Sequence, residues 1–197
     1  ASGALEPGYN NFFNIGDSSK QVNNIYTNNL LAGGTVTIAD TIVHSGDTNT
    51  KIRFPAADTV SVETSGNEAL RVDADRFVLI GKDSVYGSGK AQIHNTSQYV
   101  LDLNLWAADA NPAVLAFYKS RNATPGGATV VQDDDGIGSL RFLGNDGANS
   151  REAAYIKAFV DGTPGTNDMP GRLVFGTTVD GGSSSTERLR IDKAGSV

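Results

Sequence analysis

Apolar and polar residues alternate through most of the chain, and one alternating phrase occurs twice. Glu68 to Val78 reads EALRVDADRFV, and Glu187 to Val197 reads ERLRIDKAGSV. Glu, Leu, Arg, an aliphatic residue (Val72 or Ile191), Asp and a final Val recur in register, 119 residues apart. A period of two is the mark of a half-buried strand, because successive side chains leave a strand on opposite faces. Leu70, Val72 and Ala74 therefore share one face and Arg71 and Asp73 the other; Leu189 and Ile191 oppose Arg190 and Asp192 in the same way. The pattern predicts that Leu70, Val72, Leu189 and Ile191 are buried and that both copies adopt the same local structure. KIRFPAAD (Lys51 to Asp58) stands before the first copy and RLVFGTT (Arg172 to Thr178) before the second, so each copy reads as strand, polar turn, repeated strand. The first copy runs on into Leu79, Ile80 and Gly81, whereas the second meets the last residue, which suggests a piece of a longer chain.

The same reading extends to the rest of the chain. Gly16 to Ser19 is a turn or helix N-cap signal, and Val22, Ile25 and Tyr26 follow at helical spacing, predicting a single helical turn. From Thr35 the pattern turns to β: Val36 and Ile38, then Ile42 and Val43, a short strand at Ile52 and Phe54 ended by Pro55, Val60 and Val62, and the run Phe77 to Ile80. The second half predicts longer strands at Gln98 to Trp106, Ala113 to Ser120, Thr129 to Val131, Leu140 to Leu143, Ala154 to Val160, Leu173 to Phe175 and Leu189 to Ile191. Turn signals fall between them at Asn111-Pro112, Asp133 to Gly136, Asn145 to Asn149 and Asp161 to Pro170. Many short strands so spaced mean an all-β architecture with little helix. Three segments follow: an N-terminal module over 1–34, a first β module over 35–90 and a second over 91–197.

Composition sharpens this picture. The hydrophobic fraction is 39%, and 23 of the 197 residues are Gly. A thin core spread along an elongated body, with an apolar face buried against copies of itself, fits those numbers. The net charge of −6 argues against nucleic acid or an anionic membrane as partner. The chain has no cysteine, which excludes disulfides and thiolate zinc sites. No apolar run is long enough to span a membrane by a helix, and the first residues lack the pattern of a signal peptide.

Candidate chemistry is sparse. His44 and His94 lie in or beside alternating stretches, with no Ser-His-Asp arrangement around them. Asp73, Asp75, Asp133 to Asp135, Glu152, Asp161, Asp180 and Glu187 offer carboxylates for an acid pair, but most sit in turns, where Asp is favoured for its bonds to nearby backbone. Asp133 to Gly138 fails the EF-hand pattern, having Ile137 at the fifth position and Gly144 at the twelfth. Gly81 to Lys90 matches neither phosphate-loop pattern. No catalytic residue, metal ligand or cofactor is assigned. Arg71 with Asp73, and Arg190 with Asp192, could pair across an interface between copies, because a guanidinium fits a carboxylate in bidentate fashion. Trp106, Tyr99 and Tyr118 are the aromatics suited to stacking on sugar, with Trp106 out of phase with Tyr99 on the same strand.

Three stretches resemble a known family. NIGDSSKQVNNIYTNNL is similar to short modules of bacteriophage tail fibres. GDTNTKIRFPAADTVSVETSGNEALRVD resembles a repeat of marine and cyanobacterial phage fibres. GSLRFLGNDGANSREAAYIKAFVDGTPGTNDMPGRLVFGTTVDGGSSSTERLRIDKAGSV resembles the region that stands before a self-cleaving intramolecular chaperone domain. The resemblance implies an intertwined, elongated homotrimer of short antiparallel strands in β-prism or β-sandwich-like modules. It implies a place on the virion, outside the cell, beside other tail proteins, and a role in recognising a host cell-surface glycan or receptor. It carries over no catalytic residue. The rival expectations are a polysaccharide depolymerase with an acid pair in a groove, against which the lack of a uniform coil-length repeat weighs, and a fibre spacer with no ligand.

Overall fold

The computed structural model describes Ser19, Ile25, Thr27 and residues 29–197. The helical turn expected around Gly16 to Tyr26, and most of the module assigned to 1–34, lie outside the described residues. Within them the protein is all-β, with no helix. It divides into two units, Ala1–Asp102 and Leu103–Val197.

The first unit holds one six-stranded sheet in sequence order: β1 (Thr41–His44), β2 (Asp47–Ala56), β3 (Thr59–Thr64), β4 (Asn67–Val72), β5 (Val78–Ile80) and β6 (Ala91–Ile93). Neighbours run antiparallel except β5 and β6, which are parallel. Tight turns set the register. Between β3 and β4, Ser65 and Gly66 both have positive φ (52° and 75°), the turn whose twist matches that of the flanking strands. β2 is longer than the pattern suggests. It continues through Pro55, where a register shift between Arg53 and Ala56 accommodates the missing N–H.

The second unit holds β7 (Gly136–Asn145), β8 (Ser150–Val160), β9 (Gly171–Thr177) and β10 (Thr186–Ile191), antiparallel and ordered β10-β9-β8-β7. The direct hairpin partner of β10 is β9, whereas that of β4 is β3 and not the KIRFPAAD strand β2. TVSVET, not KIRF, is therefore the structural counterpart of RLVFGT.

Four expected strands do not form. Thr35 to Ala39, Gln98 to Trp106, Ala113 to Ser120 and Thr129 to Val131 join no ladder. Alternation shows that a segment suits a pleated surface; it does not supply the neighbour whose backbone completes the hydrogen bonds.

Burial is scant. Leu79, Val131, Val160 and Val174 are the buried hydrophobic residues among those described, joined by Thr59 and Ser61. Leu70, Leu189 and Ile191 are exposed and Val72 is half-buried, contrary to the expectation that all four are covered. Each faces away from the ion-paired side of its sheet, and among the described residues no second strand layer covers it. A sheet needs such a layer to bury its apolar face.

Candidate functional site: two open apolar faces and a set of exposed aromatics

The strand registers align aliphatic residues into continuous rows. In the first sheet, Ile42 lies opposite Ile52, Ile52 opposite Val62, Val62 opposite Leu70, Leu70 opposite Ile80 and Ile80 opposite Ile93. Residues directly opposite on adjacent strands share a face, so six strands contribute one apolar row. In the second sheet Leu140, Ile156, Phe175 and Leu189 form the equivalent row. Beside it, Phe117, Leu140, Ile156, Ala158 and Leu173 line a shallow groove of about 280 Å³. Ile42, Ile52, Leu70, Ile80 and Ile93 remain between 36% and 46% exposed. Monomeric soluble proteins rarely leave contiguous apolar surface of this kind open.

The opposite faces are closed by ion pairs. In the first sheet Glu63 accepts from Lys51 at 3.0 Å and from Arg53 at 3.2 Å, and Arg53 also reaches Asp40. In the second, Glu152 meets Arg141, Lys157 and the Ser185 hydroxyl, which tie the strands to the loop before β10. Ser185 and then Arg141 hold the Glu152 carboxyl below its usual range. Lys157 also sits 3.7 Å over the Tyr155 ring, and that ring fills the space beside Gly176 on β9.

The repeated phrase has one local structure in both places. Arg71 donates Nε and Nη2 to the two carboxylate oxygens of Glu68, each at 2.6 Å; Arg190 donates the same atoms to Glu187, each at 2.9 Å. Residues three apart on a regular strand point to opposite faces. Here a one-residue bulge at Ala69, and its equivalent at Arg188, brings them to the same side. The phrase then closes in the same turn. Asp73 Oδ1 accepts the Phe77 N–H, and Asp192 Oδ1 accepts those of Ala194 and Ser196. The fourth residue of the turn is left-handed in both: Arg76 at φ 64° and Gly195 at φ 82°. Each Arg is satisfied within its own strand and each Asp caps a turn, so neither pair is free in the way expected for bonding between copies.

The other candidates are dispersed. Trp106, Tyr118 and Tyr99 are 88%, 85% and 74% exposed, on segments outside the sheets. In the acidic turn, Asp133 accepts the Gly162 N–H, Asp134 pairs with Arg172 at 2.7 Å, and Asp135 is gripped by Arg121, which lowers its pKa strongly. His94 approaches Gln92 at 3.2 Å and His44 lies 4.0 Å from Asp47. Among the described residues, no group of three or more His, Asp or Glu is placed to hold a metal ion. The apolar rows were missed as surface because alternation reports a face and not its cover.

No family model and no curated protein sequence matches the chain. Its fold is that of a phage tail-fibre domain. The carboxy-terminal domain of the bacteriophage T5 L-shaped tail fibre aligns with a TM-score of 0.61 at 14% identity, over 93% of this chain and 88% of that one. The same domain with its intramolecular chaperone domain aligns with a TM-score of 0.60 at 13% identity, over 87% of this chain and 61% of that one.

Proposed function

We propose that this chain is a structural and adhesive segment of a bacteriophage tail fibre. In this reading it works as a homotrimer on the virion, outside the cell, attached to other tail proteins, and recognises a host cell-surface glycan or protein. The observation that carries the reading is the pair of open apolar rows on a tail-fibre fold. Three copies placing Ile42-Ile52-Val62-Leu70-Ile80-Ile93 and Leu140-Ile156-Phe175-Leu189 toward one another bury what a single chain leaves wet. Burial of apolar surface contributes roughly 25 cal/mol per Å², and symmetry lets one patch serve every copy. The ion-paired faces then turn outward. Trp106, Tyr99 and Tyr118 offer flat apolar rings of the kind that stack on sugar, and threefold presentation multiplies a weak contact. The role in this reading is binding and not catalysis: of the carboxylates offered for an acid pair, Asp73, Asp133 to Asp135, Glu152, Asp161 and Glu187 are engaged by Arg, Lys, Ser or backbone N–H groups.

The test is adsorption of the purified, fluorescently labelled chain to cells of the host bacterium. Saturable binding, lost on replacing Trp106, Tyr99 and Tyr118 together by Ala, is the expected result. Absence of binding by a correctly assembled protein makes the segment a spacer, and release of reducing ends from host polysaccharide makes it a depolymerase.

A further inference from the structure

We propose that Leu103–Ala116 is a strand-donating arm, taken up along the open edge of β7 in a second copy of this chain; the proposal rests on the self-association inferred above. The arm consists of two stretches with no regular structure, 103–107 and 111–116, separated by a bend at residues 108–110. Its sequence alternates as a strand does, yet every residue of it is exposed. Among the described residues, none of its N–H or C=O groups enters a backbone hydrogen bond. Fixing a residue's backbone costs about 1–2 kcal/mol of entropy, and among the described residues no backbone ladder offsets that over this length. Leu103, Leu105, Trp106, Val114 and Leu115 are 50–88% exposed, an apolar load that suits an interface better than water. At its base the arm is seated: the Phe117 side chain lies where a Cβ on Gly138 would be, 2.7 Å away.

The receiving edge is singled out by what the other edges lack. β1 has four residues and β6 three. β10 carries Glu187, Arg188 and Arg190 in six residues, the charged guard typical of an edge that stays single. β7 offers ten residues with Arg141 as its one charge, no Lys and no Pro, and exposed Leu140, Phe142 and Leu143. An unguarded edge of that length is a template for an added strand. In the arm, Asn104 and Trp106 alternate with Leu103 and Leu105, so pairing through the leucines leaves Trp106 on the outer side.

Hydrogen exchange of the full chain, with its native mass measured on the same sample, tests the proposal. The expected result is exchange at least about 100-fold slower than the unstructured rate at the β7-facing amides of the arm, Leu103 and Leu105 among them, and at the outward amides of β7, while those of β10 exchange freely. Leu105→Pro should abolish protection around its site, and Leu105→Ala should not; the first removes a β7-facing N–H that enters no backbone–backbone bond within the chain, so the sheets themselves stay intact. An assembled protein whose arm exchanges at the unprotected rate, or whose protection appears along β10 instead of β7, overturns the arm and leaves self-association standing. A single-chain mass overturns both.

Discussion

Gly176 gives the sharpest test of the packing on the ion-paired face of the second sheet. A Cβ built there would lie 2.3 Å from two ring carbons of Tyr155 and 2.7 Å from its hydroxyl oxygen. Tyr155 stands opposite Gly176 in the β8–β9 register, so the ring covers the glycine and the Lys157 ammonium covers the ring at 3.7 Å. Gly176→Ala cannot be absorbed without swinging the ring away. Overpacking of this kind costs about 1–3 kcal/mol, and losing the cation–ring contact adds about 0.5–1 kcal/mol. Against that, Ala in a strand gains about 0.5–1 kcal/mol over Gly from backbone entropy. The net expectation is a loss of about 1–3 kcal/mol, from those same ranges. In a Tyr155→Ala background the obstacle is gone, and the same Gly176→Ala change should stabilise by about 0.5–1 kcal/mol. The four proteins form a double-mutant cycle. Thermal unfolding reads it, since 1 kcal/mol moves the midpoint by about 4–8 °C in a domain of roughly 60–100 residues. If Gly176→Ala lowers the midpoint equally with and without the tyrosine ring, the stacked arrangement is not what requires glycine here.

Other consequences can be checked on the same material. The twin turns predict opposite responses. Arg76→Gly relieves a left-handed residue at φ 64° and should raise the unfolding midpoint by a few degrees, whereas Gly195→Ala at φ 82° should lower it by a similar amount, each change being worth about 1 kcal/mol; a fall in both would deny the shared turn. Stability should hold above about pH 5 and decline as pH falls through the range from about 4 to 2. The cause is that Asp40, Glu63, Asp135, Glu152, Asp161 and Glu187 are held below their usual range by donor partners in the folded state, and Asp146 is held at about 2 by the Asn149 and Ala148 N–H groups and Arg151. Such groups stabilise the fold while ionised and lose that contribution once protonated, so a midpoint that is flat down to pH 2 in a pH-dependent melting series would contradict the ion-paired faces. Glu187→Gln should loosen β10 and Glu68→Gln β4, each seen as faster amide exchange confined to its own hairpin; no change in either would deny the clamps a structural role.

The β character of the chain was legible because antiparallel strands write their alternation directly into the sequence. The turns were legible for a related reason, since Ser65-Gly66 and Asp133 to Gly136 need residues that tolerate unusual backbone angles or bond to their own main chain. The bulges were not. One extra residue at Ala69 or Arg188 leaves the alternation of the flanking residues intact while moving Glu68 and Glu187 to the Arg side, so Arg71 was matched with Asp73 instead of Glu68. Nor could the pattern distinguish KIRF from TVSVET as the partner of the repeated strand, because both alternate and only the intervening turn decides which one pairs. Burial was misjudged at Leu70, Leu189 and Ile191 for a deeper reason: an apolar face is encoded in its own strand, but its cover is encoded elsewhere. The three aromatics were visible as candidates for stacking, and the structure places them apart, exposed and outside the sheets. The apolar rows, which carry the functional reading, emerge only when the registers of six strands and of four are laid side by side.

Whether the two apolar rows close against other copies is decided by the native mass of the protein in solution, measured by sedimentation equilibrium. The expected result is a species of three chains, each of 20.6 kDa, reduced to single chains by Ile52→Asp within the first apolar row. A monodisperse, stably folded single chain for the unaltered protein would contradict it.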